Sequence, residues 1–267
     1  MQSFTMRMII AGHLVLLSLP AHAGWPGDPA PCRGDAVKAG AVCMDRYEAS
    51  VWEVPNATTT NKGLVKRIQA GTADADDLIR SGATQRGVGS DDYNFLSCPN
   101  TGQGCANLFA VSIEGVIPSA HITWFQAQQA CFNSRKRLPS NAEWQGAVSG
   151  SPNPGADNGS TDCNTDSALT AVDTGSRSDC VSRFGAYDMV GNVAEWVADW
   201  VPRSSGCGSW SGSSDLQCLA GAETTGDPGA LLRGGDYSTA SAAGPFWISG
   251  GSSPFESGVG RGLRCAR

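Results

Sequence analysis

Apolar positions in this chain come in short bursts separated by long polar stretches. The longest burst comes first: Arg7 precedes an apolar run from Met8 to Leu19, and Ala21-His22-Ala23 follows as a small-x-small cleavage site. Residues 1–23 therefore read as a secretory signal peptide, too short to span a bilayer. Residues 24–40 read as a Pro/Gly-rich leader. Ala41–Ala49 reads as a first strand, residues 54–106 as irregular structure and Leu108–Ile113 as a short strand. Two helices follow. Thr123 and Gln126 form a capping box that puts Trp124, Ala127 and Cys131 on one face; Ser140 and Glu143 form another, with Trp144, Ala147 and Val148 inward. Pro139 discourages a continuous helix between them. Residues 149–180 and 203–230 read as polar loops. Between them, Val193–Trp200 alternates as a strand with Ala194, Trp196, Ala198 and Trp200 on one face. Leu231-Leu232-Arg233 and Leu263-Arg264-Cys265 are the last strands, on either side of a Ser/Gly-rich stretch, 238–262. The periodicity predicts a loop-rich α+β domain.

Composition explains how so many loops can hold. There are ten cysteines in 267 residues, an even number in an exported chain, which points to five disulfides in a secreted or periplasmic setting. Roughly 945 pairings are possible in principle. Local spacing suggests Cys32–Cys43, Cys98–Cys105, Cys163–Cys180 and Cys207–Cys218, leaving Cys131 with Cys265. No C-x-x-C occurs, which argues against a thioredoxin-type site or a zinc knuckle. Of three histidines, His13 and His22 lie in the signal, so the mature chain keeps His121 alone. A multi-histidine zinc or iron centre is excluded. The formal net charge is −6 and there is no basic stripe, so nucleic acid is a poor partner. No second apolar run is long enough to cross a membrane.

Four stretches resemble one family in their order and spacing: Met44-Asp45-Arg46-Tyr47-Glu48; Arg137-Leu138-Pro139-Ser140-Asn141-Ala142-Glu143-Trp144; Gly185 to Trp196, GAYDMVGNVAEW; and Arg233-Gly234-Gly235 with Gly262-Leu263-Arg264-Cys265-Ala266. The resemblance is to the formylglycine-generating enzyme (sulfatase-modifying factor) domain, and it covers residues 41–267. It implies a C-type-lectin-like α+β fold, loop-rich, with little regular secondary structure. It also implies the long disulfide, since a cysteine ending the first helix bonds the one in the final G-[FL]-R-C strand; here these are Cys131 and Cys265.

The family's chemistry can be carried over position by position. Its oxidases hold copper(I) on two cysteines after the R-G-G motif, and soft thiolates suit that ion. The matching positions are Thr239 and Gly244, which offer a hydroxyl and bare backbone. A second branch uses iron on three histidines, which one histidine cannot supply. The resemblance thus implies no copper and no known oxidase centre. It does imply structural calcium, held by the Asp188 and Glu195 side chains and the Gly191 and Val193 carbonyls, because hard oxygens on a tight turn suit that ion. The alternative is an acidic turn held by hydrogen bonds alone. Asn164 with the Thr165 carbonyl would belong to a second calcium site.

Other residues have structural explanations. His121 reads as a hydrogen-bonded structural residue, Glu143 as a capping residue, and Arg137, Arg233 and Arg264 as buried partners of carboxylates. Trp144, Trp196 and Trp200 read as core. Tyr237, Ser238, Thr239, Phe246, Trp247 and Phe255 lie in a stretch of small polar residues and scattered aromatics, the composition of adaptable binding loops; Trp247 is equally compatible with the core. The resulting expectation is an exported, non-catalytic module that binds a protein or small molecule through residues 237–261. The alternatives are an oxidoreductase acting on a cysteine or small metabolite, and a retroelement-diversified variable binding protein, which uses this fold and varies this stretch.

Overall fold

A computed structural model describes residues 31–93, 98–153, 157–222 and 226–267. The residues read as a signal peptide, 1–23, lie outside the described residues. Pro31–Arg267 form one compact unit.

The predicted first strand is two strands. β1 (Ala36–Ala39) turns back through Gly40, at φ 65°, onto β2 (Val42–Asp45), and β3 (Ala49–Glu53) follows separately. The break at Arg46–Glu48 has a reason. Asp45 and Glu48 are both fully buried because each faces an internal partner. Asp45 receives the Lys136 ammonium at 2.6 Å, and Lys136 also meets Asp35 at 2.7 Å. β1 falls within the residues assigned to the leader.

β3 is the centre of a three-stranded antiparallel sheet, between β4 (Thr84–Arg86) and β5 (Leu108–Ser112). The stretch 54–106 is not irregular as expected. It contains α1 (Lys62–Ala70) and α2 (Ala75–Arg80), the latter with an Asp74/Asp77 capping box. Its apolar residues are sparse, but Leu64, Ile68 and Leu78 all turn inward and share a core with Trp52 and Phe109. A few well-placed apolar residues suffice when a sheet face covers them.

The two predicted helices are α3 (Trp124–Asn133) and α4 (Asn141–Ala147), and both capping boxes form. Ala127, Ala130 and Cys131 of α3 pack into the main core with Trp196 and Leu263. Trp144 and Ala147 of α4 join a second cluster with Met44 and Val197.

The larger sheet has six strands in the order β11-β6-β9-β10-β8-β7. β6 (Ala194–Val201) pairs parallel with β11 (Arg261–Leu263) and antiparallel with β9 (Gly229–Arg233). Its first half is buried on both faces, whereas its end leaves the core. Trp200, 44% exposed, is therefore a surface residue and not the core residue expected. β10 (Ile248–Ser252) lies within the Ser/Gly-rich stretch. The stretch 203–230, read as a loop, contains a hairpin of β7 (Gly206–Ser209) and β8 (Leu216–Ala220), closed by a disulfide.

All ten cysteines pair as the spacing and the resemblance indicated: Cys32–Cys43, Cys98–Cys105, Cys131–Cys265, Cys163–Cys180 and Cys207–Cys218. Cys131–Cys265 spans 134 positions, and closing so long a loop contributes about 4–5 kcal/mol in the chain-entropy account. The fold is α+β and C-type-lectin-like, loop-rich and stapled. No helix among the described residues is long and apolar enough to cross a membrane.

Candidate ligand face and cation site

The turn before β6 contains three left-handed residues within five positions: Asp188 (φ 56°), Gly191 (φ 75°) and Asn192 (φ 58°). Asp and Asn tolerate this conformation better than most residues. Position 191 must be glycine for a second reason, since a Cβ there would overlap the Asn164 carbonyl. This geometry draws the predicted cation ligands inward, and Asp188 and Glu195 are both almost fully buried.

Each carboxylate has defined partners. Glu195 accepts the Trp144 indole N–H at 2.6 Å on one oxygen and the Arg264 Nε–H at 2.9 Å on the other. Asp188 accepts the Gly175 amide at 2.7 Å. Glu48, absent from the predicted set, accepts the Val193 amide at 3.0 Å and the Asn192 side chain at 2.5 Å. Burial, with the Asp188 and Glu195 charges adding to it, pushes the Glu48 carboxyl well up; burial likewise pushes Asp188 to about 7. Asn164 sits beside Gly191 and donates to Asn192 and Thr170, but its own buried Oδ1 has no partner. Among the described residues no group of three or more His, Cys, Asp or Glu side chains is arranged to hold a metal.

The arginines divide three ways. Arg264 is the expected buried partner of a carboxylate. Arg137 pairs with Glu143 at 2.7 Å, but nearly half of its side chain is exposed. Arg233 is buried without a carboxylate in contact: it donates to the Trp247 and Pro245 carbonyls and to the Asn141 and Gln145 side chains, and lies over the Trp144 ring. Burial lowers its pKa to about 10.

The two positions matching the family's copper cysteines are closed off by local structure. Thr239 is bound into its own turn: its hydroxyl accepts the Asp236 amide at 2.9 Å and donates to the Asp236 carboxylate at 3.0 Å. Gly244 packs on Asp215, which is fully buried, and a Cβ at 244 would overlap the Asp215 carboxylate. Asp215 arrives from the β7–β8 hairpin and is held by the Phe246 amide at 2.8 Å and the Ser213 hydroxyl at 2.7 Å. Nothing in the local sequence around Gly244 announces this residue.

The predicted ligand residues do not form one patch. Tyr237 lines a cleft with His121, while Ser238 is exposed and donates to Asp236 at 2.7 Å. Phe246 is 46% exposed beside Trp210, whose indole N–H binds the Phe246 carbonyl at 2.9 Å. Trp247 is 8% exposed and belongs to the core. Phe255, 42% exposed, packs on Phe125 at 4.9 Å, and Phe125, Trp124 and Trp200 pack edge to face at 5.0–5.6 Å. This four-ring cluster was not legible as a unit. Its one sequence signal is that the alternation of β6 runs on to Trp200.

The packing at Gly244 yields a double-mutant test. Gly244→Ala should lower stability by about 1–3 kcal/mol, the range for overpacking a filled site. In an Asp215→Ala background the same change should cost less than about 0.5 kcal/mol. Equal costs in both backgrounds, measured by urea unfolding, would show that Asp215 does not fill the space at Gly244.

The profile of the sulfatase-modifying factor enzyme 1-like domain matches residues 89–267. A search of curated proteins by sequence finds no match. Among solved structures, the Major Tropism Determinant P3c variant is similar at 17% identity and TM-score 0.47, covering 87% of this chain and 52% of that one. The chain thus spans about half the length of that variant. CarF is similar at 17% identity and TM-score 0.42, covering 85% of both chains. PvdO from Pseudomonas aeruginosa is similar at 19% identity and TM-score 0.40, covering 85% of this chain and 80% of that one. With its turn before β6, its R-G-G stretch and its terminal G-L-R-C strand built as described, this chain belongs to the sulfatase-modifying factor enzyme 1-like (FGE-sulfatase) domain family.

Proposed function

We propose that this chain is an exported binding module that lacks the family's copper oxidase chemistry and presents its ligand through residues 237–261 and the aromatic cluster they join. The observation that carries this reading is the fate of the cysteines. All ten are in disulfides, so no thiolate remains for copper(I). Gly244 and Thr239 are committed to Asp215 and Asp236. Against this, Trp200, Phe246 and Phe255 each hold more than two fifths of their surface in solvent, and exposed aromatics on a stapled frame favour contact with a partner. Purified protein incubated with copper, oxygen and a cysteine-containing sulfatase peptide should leave the peptide mass unchanged. Formation of the aldehyde would make the chain an oxidase and end this reading.

The same reading gives calcium a structural role at Asp188, Gly191, Val193 and Glu195. Of three buried carboxylates, Glu195 pairs with the Arg264 guanidinium while Glu48 and Asp188 feel its charge only from farther off, so the cluster is short of positive charge, and Asn164 has an unpartnered acceptor nearby. Calcium would need Glu195 to yield one of its present partners. Without calcium, two acids raised by folding hold protons that the unfolded chain releases, so stability falls as pH rises from about 4 through about 7. In chelator, the thermal midpoint should therefore drop between pH 5 and pH 8. At pH 7.5, calcium at a hundredfold excess over its Kd should restore about 2.7 kcal/mol, or roughly 5–10 °C. Identical midpoints with calcium and with chelator would remove the ion from the account.

A further inference from the structure

The cleft that Tyr237 lines has a volume of about 370 Å³, within the range of small-ligand pockets. Four distant parts of the chain meet there: Val88 after β4, Ile117 and His121 before α3, Thr170 in the long loop, and Tyr237 and Val259 from the Ser/Gly-rich stretch. His121 is built into it under strain. Its φ is 54°, a left-handed conformation that is unfavourable for a non-glycine residue and persists only where the surroundings enforce it. They do so on both sides. The His121 amide donates to the Gly258 carbonyl at 3.0 Å, and the next carbonyl, Ile122, accepts the Trp196 indole at 2.9 Å. The neighbouring part of the lining is equally fixed. Gly87 has no room for a Cβ against Tyr93 and the Ala120 carbonyl, and Tyr93 donates to that carbonyl at 3.1 Å. Tyr237 is held by its amide on the Asn192 carbonyl at 3.1 Å.

The lining sets the ligand's chemistry. It contains no Asp, Glu, Lys or Arg, so a charged ligand would find no counter-charge in the lining, and the part of it that loses water would go unpaired. The polar side chains are the His121 ring and the Thr170 and Tyr237 hydroxyls, among walls that are otherwise aliphatic or glycine. Three such groups cannot satisfy the many hydroxyls of a sugar. One or two polar groups on an apolar ring can be satisfied.

We propose that this cleft is a binding site for a small uncharged molecule, an apolar ring bearing one or two hydroxyl or carbonyl groups, which exchange hydrogen bonds with His121, Thr170 and Tyr237. The proposal rests on the reading of residues 237–261 as a ligand face and names the ligand class for one part of it.

The probes are p-cresol, p-toluate and 4-methylbenzylamine, three rings of like size that are neutral, anionic and cationic. The readout is the His121 ring resonances by NMR, assigned with His121→Gln. p-Cresol should move them saturably and bind at least tenfold more tightly than either charged probe. Ala171→Trp, a half-exposed lining position with little to disrupt, should weaken p-cresol at least tenfold while leaving the thermal midpoint unchanged. The proposal is overturned if p-cresol leaves His121 unmoved, if a charged probe binds as tightly, or if binding survives Ala171→Trp. Such a result would leave the outcome of the copper assay untouched, and aldehyde formation in that assay would end the ligand-face reading while the cleft's titration stood as measured.

Discussion

Arg264 has no exposed surface, and its guanidinium holds together parts of the chain that no strand pairing connects. It binds Glu195 in β6, the Asp45 carbonyl at the end of β2 and the Tyr187 carbonyl in the turn before β6. Its neighbour Cys265 closes the long disulfide and donates its amide to Asp45, the carboxylate that also receives Lys136. Ala266 exchanges both backbone hydrogen bonds with Arg137. Three consecutive residues, from Arg264 to Ala266, thus lock the C-terminus to β2, to α3 and the residues after it, and to β6 with the turn before it. Removing one partner of such a buried ion pair costs about 3–5 kcal/mol, because the other is left buried and unpaired.

The knot explains why the rest of the molecule can be mostly loops. Residues 149–180 need no sheet, because the Cys163–Cys180 disulfide closes their second half, and the Ser/Gly-rich stretch is held by β10 and by the anchored C-terminal strand. Loops anchored at both ends to a rigid base are free to vary in composition. That is the physical basis for placing ligand contact on residues 237–261 and for reading the left-handed, strained His121 as part of a site.

How far the sequence could be read depended on how local each cause was. Thr123 with Gln126 and Ser140 with Glu143 are complete signals within four residues, and both helices formed as expected. The disulfides were legible because four of the five close short loops. The helices in 54–106 were missed because Leu64, Ile68 and Leu78 are too sparse to show a period by themselves; they fold against Trp52 and Phe109, which belong to strands elsewhere in the chain. The β7–β8 hairpin was missed because its residues are small and polar and a disulfide, rather than an apolar face, fastens its two strands. At the site, Thr239 and Gly244 were found through the family motif. Asp215, which closes the space at Gly244, comes from a hairpin more than twenty residues upstream and leaves no local trace. Trp200 lies outside the core although the alternation includes it, because alternation says which side a residue faces, not where the core stops.

Cysteine sulfur is structural throughout this chain, and both the proposed lack of copper oxidase chemistry and the stapled loops depend on that. Thiol titration of the protein denatured in guanidinium without reductant tests it directly. No free thiol before reduction and ten after it is the predicted result. Two or more thiols in the unreduced protein would contradict it, since a reactive pair would then be available to hold copper(I).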